Sequence, residues 1–272
     1  MVMLFQERAG TGAPVVLLHG LTATHRYVVM GSRSLERAGH DVLTYDARGH
    51  GRSDPAPTPD AYTYADLADD LLGVLDTAGH ERAVLAGASM GAHTAVRVAL
   101  EHPERVAGLV IITPAYDPEA GPRDLDRWDA LSDGLRHGGV EGFVAAYGDD
   151  NVPEAWKKNL QTVLRQRLAA HEHPDAVADA LRAVPRSRPF EDREQLRGIA
   201  VPTTVVADRD AVDPGHPLAI GELYASLIPG ARLVVEEEGK SPIAWQGGQL
   251  SKVIAEVCAA ALGARGGGMT DM

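Results

Sequence analysis

The chain has 272 residues, a formal charge of −12 and a hydrophobic fraction of 44%, ample for a sizeable core in one α/β domain with an insertion. A net negative charge without a lysine or arginine cluster argues against nucleic acid and anionic membrane as partners. No stretch approaches the ~20 apolar residues of a membrane span, MVMLFQERAG lacks a signal pattern, and the lone cysteine, Cys258, forbids an internal disulfide, so a soluble cytoplasmic protein is expected.

Short apolar runs alternate with amphipathic helical patterns, the mark of a parallel sheet with crossover helices. After a weak strand in MLFQERA come PVVLLHG (Pro14 to Gly20), DVLTYDA (Asp41 to Ala47), AVLAGAS (Ala83 to Ser89) and AGLVIIT (Ala107 to Thr113). TTVVAD (Thr203 to Asp208) and ARLVVEE (Ala231 to Glu237) follow much later. Most are apolar without alternation, as expected of strands covered on both faces. Between the second and third main strands, Leu67, Leu71, Val74 and Leu75 form one helical face that Thr63 is placed to cap.

The alternation breaks from about Pro114 to Gly198, where only helical patterns occur. Leu125, Trp128, Leu131 and Leu135 make one stripe; Trp156, Leu160, Val163, Leu164 and Leu168 make another; PDAVADALRAV gives a third short helix. Residues 115–198 are therefore read as a helical cap inserted into a core of residues 1–114 and 199–262, with 263–272 as a disordered tail. A cap is the functional reading because open α/β sheets bind ligands at the loops on their strand carboxyl ends. Trp128, Phe143, Tyr147 and Trp156 are its aromatics, either lining a cavity or packing the cap onto the sheet.

The strongest chemical signal is GASMG, Gly87 to Gly91, between the apolar run AVLA and the helical pattern AHTAVRVALEH. Strand, sharp turn and helix are the context a G-x-S-x-G nucleophile elbow requires. The turn lifts the Ser89 hydroxyl above the sheet, and the Met90 N–H at the helix start faces a developing oxyanion. His19-Gly20 ends the first apolar strand, and the N–H of Leu21 is a candidate second donor.

With these pieces the chain resembles the α/β-hydrolase fold family, in its capped, cofactor-free branch of esterases and lipases. The matching segments are His19-Gly20, YDARGHGRSD (Tyr45 to Asp54), GASMG, HPERVAGLVII (His102 to Ile112) and VPTTVVADRDAVDP (Val201 to Pro214), which together reach across nearly all but the cap. The resemblance implies that His50 is structural. It also implies an acid in a G-x-x-D segment after a late strand, which falls on Asp210 ahead of Asp208, with Asp117 as a weaker option. It implies a histidine after the last strand; there the sequence reads EEEGKSP, with Gly239 in place and Lys240 where the histidine belongs.

A triad base must be neutral to take the serine proton. Lysine starts near pKa 10.4, so at pH 7 only about one in 2,500 is neutral, and half-deprotonation needs a shift of ~3.4 units, or roughly 4.6 kcal/mol. Burial supplies such a shift, but an adjacent Asp210 carboxylate opposes it. Three readings stay open: a slow hydrolase with the triad Ser89, Asp210 and Lys240; a substitute base at His25 or His93; or a disabled, non-hydrolytic relative that binds a small ligand. The expectation is a serine hydrolase acting on a carbonyl bond of a small, moderately apolar substrate. No nucleotide cofactor is expected, because no glycine-rich phosphate loop follows the first strand, and no metal motif is present: His171-Glu-His173 lacks both the spacing and further ligands.

Overall fold

The computed structural model describes residues 2–121, 124–148, 154–211 and 213–266, with the side chains of 154–156 and 264–266 excepted. Seven strands form one sheet: β1 (Gln6–Ala9), β2 (Ala13–Leu18), β3 (His40–Tyr45), β4 (Ala83–Ala88), β5 (Val106–Ile112), β6 (Thr203–Ala207) and β7 (Arg232–Val235). The order is β1-β3-β2-β4-β5-β6-β7, antiparallel only at the β1–β3 edge. The helices are α1 (Ser34–Arg37), α2 (Tyr64–Thr77), α3 (Met90–Glu101), α4 (Leu125–Tyr147), α5 (Glu154–Leu168), α6 (Pro174–Ala183), α7 (Leu218–Leu227) and α8 (Gly247–Gly266).

The unbroken apolar runs have a direct cause. Val16, Leu18, Leu85, Leu109 and Ile111 point to the face covered by α2 and α3, where Leu71, Leu75 and Val96 meet them. Their neighbours Val15, Leu17, Val84, Ala86, Val110 and Ile112 point to the other face, covered by Leu35 of α1 and by Leu250, Ile254, Val257 and Cys258 of α8. Side chains alternate in direction along a strand, so two covered faces require apolar residues at every position. Cys258 is core packing, 1% exposed. Thr63 caps α2 as expected: its Oγ1 accepts from the Asp66 N–H (3.2 Å), and the Asp66 carboxylate accepts from the Thr63 N–H (2.9 Å).

Between Ile112 and Thr203 the described residues hold helices and turns but no strand. In α5 the buried line is Leu164 and Leu168, whereas Val163 is 42% exposed; one residue along a helix is a rotation of about 100°, enough to leave the apolar face. The Trp156 side chain lies outside the described ones. Phe143 is buried within the insertion, and Trp128 packs partly buried against the same core. The insertion is stitched to the YDARGHGRSD loop: the Gly51 N–H donates to His171 Nδ1 (2.8 Å) and the Glu172 N–H to the Gly51 carbonyl (2.8 Å). At the far end α8 continues to Gly266, into the stretch expected as a tail, and 267–272 lie outside the described residues. No described helix is long and apolar enough to cross a membrane.

Candidate active site

Ser89 sits between β4 and α3 with φ 51° and ψ −112°. A non-glycine residue in that region is strained and persists only when its surroundings over-determine it. The determinants are visible. The Ser89 N–H donates to the Ile112 carbonyl of β5 (2.9 Å), and its carbonyl accepts from the His93 N–H (3.1 Å). A Cβ on Gly87 would lie 2.2 Å from the Gly91 carbonyl oxygen, and one on Gly91 would lie 2.4 Å from that of Leu18. Both glycines are thus demanded by close backbone packing, and the serine is held at the carboxyl edge of the sheet.

The peptide between Gly20 and Leu21 is fixed beside it. A Cβ on Gly20 would lie 3.5 Å from Ser89 Cβ, so this backbone runs against the elbow. The Gly20 carbonyl accepts from His19 Nδ1–H (2.8 Å) and from the Ala23 N–H (2.9 Å), while His19 Nε2 accepts from the Ala47 N–H (2.9 Å). Holding the oxygen of a planar peptide fixes the direction of its N–H, that of Leu21, which makes no backbone hydrogen bond among the described residues. The Met90 amide is the first of α3 and has no intrahelical acceptor by its position. His50 is structural, buried with Nε2 2.6 Å from the Leu21 carbonyl.

The partner of the serine is a residue absent from the sequence reading. Ser89 Oγ–H donates to His216 Nε2 (2.9 Å), and His216 Nδ1–H donates to Asp213 Oδ2 (2.9 Å). Both groups come from ADRDAVDPGHP, the loop leaving β6. The His216 N–H donates to the Asp213 carbonyl (3.1 Å), closing a turn with Pro214 and Gly215 inside it that brings carboxylate and imidazole onto one side. Burial works against the imidazolium, but the charge and hydrogen bond of Asp213 outweigh it and raise His216 above the ordinary histidine value. Burial likewise opposes the Asp213 carboxylate, and His216 more than compensates, so its pKa is lowered.

The expected base and acid lie elsewhere. Lys240 is exposed, in a turn closed by its own N–H to the Glu237 carbonyl (3.0 Å); the loop after β7 presents it to solvent, and His216 occupies the serine instead. Asp210 Oδ1 accepts from the Leu218 N–H (2.7 Å) and so caps the first turn of α7. Asp208 is fully buried, and burial together with Asp213 and Glu236 pushes its carboxyl up to about 7. Asp117 is paired with Arg193 (2.7 Å). His25 is bound to Asp46 through Nδ1 and its own N–H (both 2.8 Å). His93 stands between the Tyr64 hydroxyl (3.0 Å) and the Ala115 N–H (3.1 Å), and burial pushes it down to about 3.

His216 did carry a signal in D-P-G-H-P: an acid and a histidine three residues apart, with one proline inside the turn and one just after it, in the loop that follows a core strand. A cleft of about 350 Å³ between Pro55–Pro59 and Glu172–Asp179 shares no lining residue with the site.

Elbow, sheet order and position of the loops agree with a family match over residues 13–243, described as the alpha/beta hydrolase fold. The chain belongs to the alpha/beta hydrolase fold family. Within it, the protein is 32% identical over 201 residues to a putative carbamate hydrolase RutD of Variovorax paradoxus, 73% of this chain and 74% of that one. Among solved hydrolase-fold structures, a thermophilic esterase from Thermogutta terrifontis is 27% identical with a TM-score of 0.76, covering 96% of this chain and 94% of the other. Est816, titled an N-acyl homoserine lactone degrading enzyme, is 26% identical with a TM-score of 0.73 over 95% and 96%. Similarity to such proteins supports a hydrolase acting on a small substrate.

Proposed function

We propose that the protein is a serine hydrolase of the capped, esterase-like kind, cleaving an ester, lactone or related carbonyl bond of a small, moderately apolar substrate. The observation that carries the reading is the continuous chain Ser89 Oγ–His216 Nε2 and His216 Nδ1–Asp213 Oδ2, each step 2.9 Å. In the proposed cycle His216 takes the Ser89 proton as Oγ adds to the carbonyl carbon. The Leu21 and Met90 N–H groups receive the negative oxygen, and His216 returns the proton to the leaving group as the tetrahedral species collapses. Water, activated by the same imidazole, then releases the acyl group from Ser89. Asp213 keeps the imidazole in the tautomer that presents a bare Nε2 to the serine, and it stabilises the imidazolium while it exists. The inserted helices form the cap.

The names of the similar proteins, carbamate hydrolase, esterase and lactone-degrading enzyme, share attack on an activated carbonyl, which is the class proposed here. The reading as a disabled binding protein rested on a missing base, and the imidazole beside Ser89 removes that ground. A fluorophosphonate probe is the test: wild type should be labelled within minutes at pH 8, and Ser89→Ala should not be labelled at all. Wild type that stays unlabelled, or labelling that survives Ser89→Ala, counts against the proposal.

A further inference from the structure

The last turn of α5 carries Arg167, whose guanidinium carbon lies 5.7 Å from the centre of the Tyr27 ring. Tyr27 ends the short turn His25–Tyr27 that follows the Leu21 loop. Several arginines of the insertion have anionic partners: Arg165 with Glu141 (2.7 Å), Arg136 with Asp179 (2.5 Å), Arg182 with Asp133 (2.6 Å) and Arg186 with Asp129 (2.8 Å), whereas Arg127 lies over the Tyr147 ring. Among the described residues Arg167 has no ion pair or hydrogen bond, and its Nε is buried without an acceptor. A buried guanidinium N–H without an acceptor is costly, because its lost hydration is not replaced.

Arg167 is also in the right place. Its charge is felt at Asp213, His216 and His171, and its other neighbours are the hydroxyl groups of Tyr27 and Tyr147. The nearest acid of the site, Asp213, is beyond ion-pair distance and is already committed to His216. The guanidinium therefore lies within electrostatic reach of Asp213 and His216, with its buried Nε–H unfilled.

We infer that Arg167 anchors a substrate carboxylate: the molecule cleaved at Ser89 carries a second, non-reacting carboxylate that pairs with this guanidinium under the insertion. A planar fork of N–H donors matches a carboxylate two-to-two, and a single positive charge balances one such group. The inference rests on the hydrolase reading, since it assumes that the reacting carbonyl lies at Ser89, and it adds the class of substrate.

The test compares two esters that differ only at the far end, 4-nitrophenyl hexanoate and mono-4-nitrophenyl adipate, with the succinate and glutarate half-esters to scan the reach. Wild type should favour one of the half-esters over its methyl-ended counterpart by about tenfold or more in kcat/KM, the scale of a charged hydrogen-bonded pair. Arg167→Gln should bring that ratio near one, and Arg167→Lys, which keeps charge but not the fork, should lie between. A wild-type ratio at or below one for every length, or a ratio unmoved in Arg167→Gln, overturns the inference. So does inhibition by inorganic phosphate that is lost in Arg167→Gln without any half-ester preference. Should no ester be cleaved and no probe bind Ser89, the hydrolase reading fails separately. Calorimetric titration then decides the anchor alone, adipate binding wild type at least tenfold tighter than Arg167→Gln in support, and equal affinities against.

Discussion

Replacing His216 by alanine is expected to lower kcat/KM on an activated ester by about 10⁴-fold or more, the scale on which loss of a triad histidine acts. The serine would keep its strained position, because its anchors are the Ile112 carbonyl and the packing of Gly87 and Gly91, so the loss should appear in kcat with the fold intact. Lys240→Ala is the matched control. Its side chain is exposed and takes no part in the hydrogen-bonded chain through Ser89, and its removal should leave kcat/KM within about twofold, as for surface substitutions generally. Rates of both variants on a 4-nitrophenyl ester, with thermal melts to confirm folding, check the pair. The opposite ranking would restore the lysine to the base position.

The second large effect concerns the acid. Asp213→Asn should reduce kcat by about 10³ to 10⁴-fold, because an amide in place of the carboxylate no longer fixes the tautomer and no longer stabilises the imidazolium. Asp210→Ala should behave differently. Its carboxylate accepts from the Leu218 N–H at the start of α7, so the expected loss is about 1 kcal/mol of stability, the usual worth of a helix cap, with kcat little changed. Melting temperature and kcat measured side by side separate the two aspartates; equal losses of kcat would mean that the loop after β6 acts as one unit and that the assignment of roles is wrong.

These two pairs of variants mark where the sequence was legible and where it was not. Six of the seven strands stood out as apolar runs because helices cover both faces of the sheet, and the elbow stood out because a tight strand-to-helix turn demands glycine at 87 and 91. The strand and helix alternation breaks after β5, and there the described residues hold helices and turns but no strand up to Thr203. The base was not visible from order along the chain, because catalysis constrains where an imidazole lies in space and not which loop delivers it. The loop after β6 and the loop after β7 both open on the carboxyl edge of the sheet, and His216 reaches Ser89 from the first while Lys240 leaves the second for solvent. His25, in the loop after His19-Gly20, and His93, one turn beyond Ser89, are already spent, one on Asp46 and the other on Tyr64 and the backbone after β5. Arg167 was invisible for the same reason, since a charge on an amphipathic helix reads as surface until its partners are counted.

The most direct measurement is the pH dependence of kcat/KM for wild type, which reports groups of the free enzyme. His216 acts as base only when neutral, and its pKa is raised above 6.5 by Asp213. Activity should therefore be lost as pH falls through that value and should level off above it, with a single ascending limb centred somewhat above pH 6.5 and a plateau before pH 9. A rate that instead keeps climbing about tenfold per pH unit through pH 9 would point to an amine near its ordinary pKa of 10.4 and would contradict the Ser89–His216–Asp213 assignment.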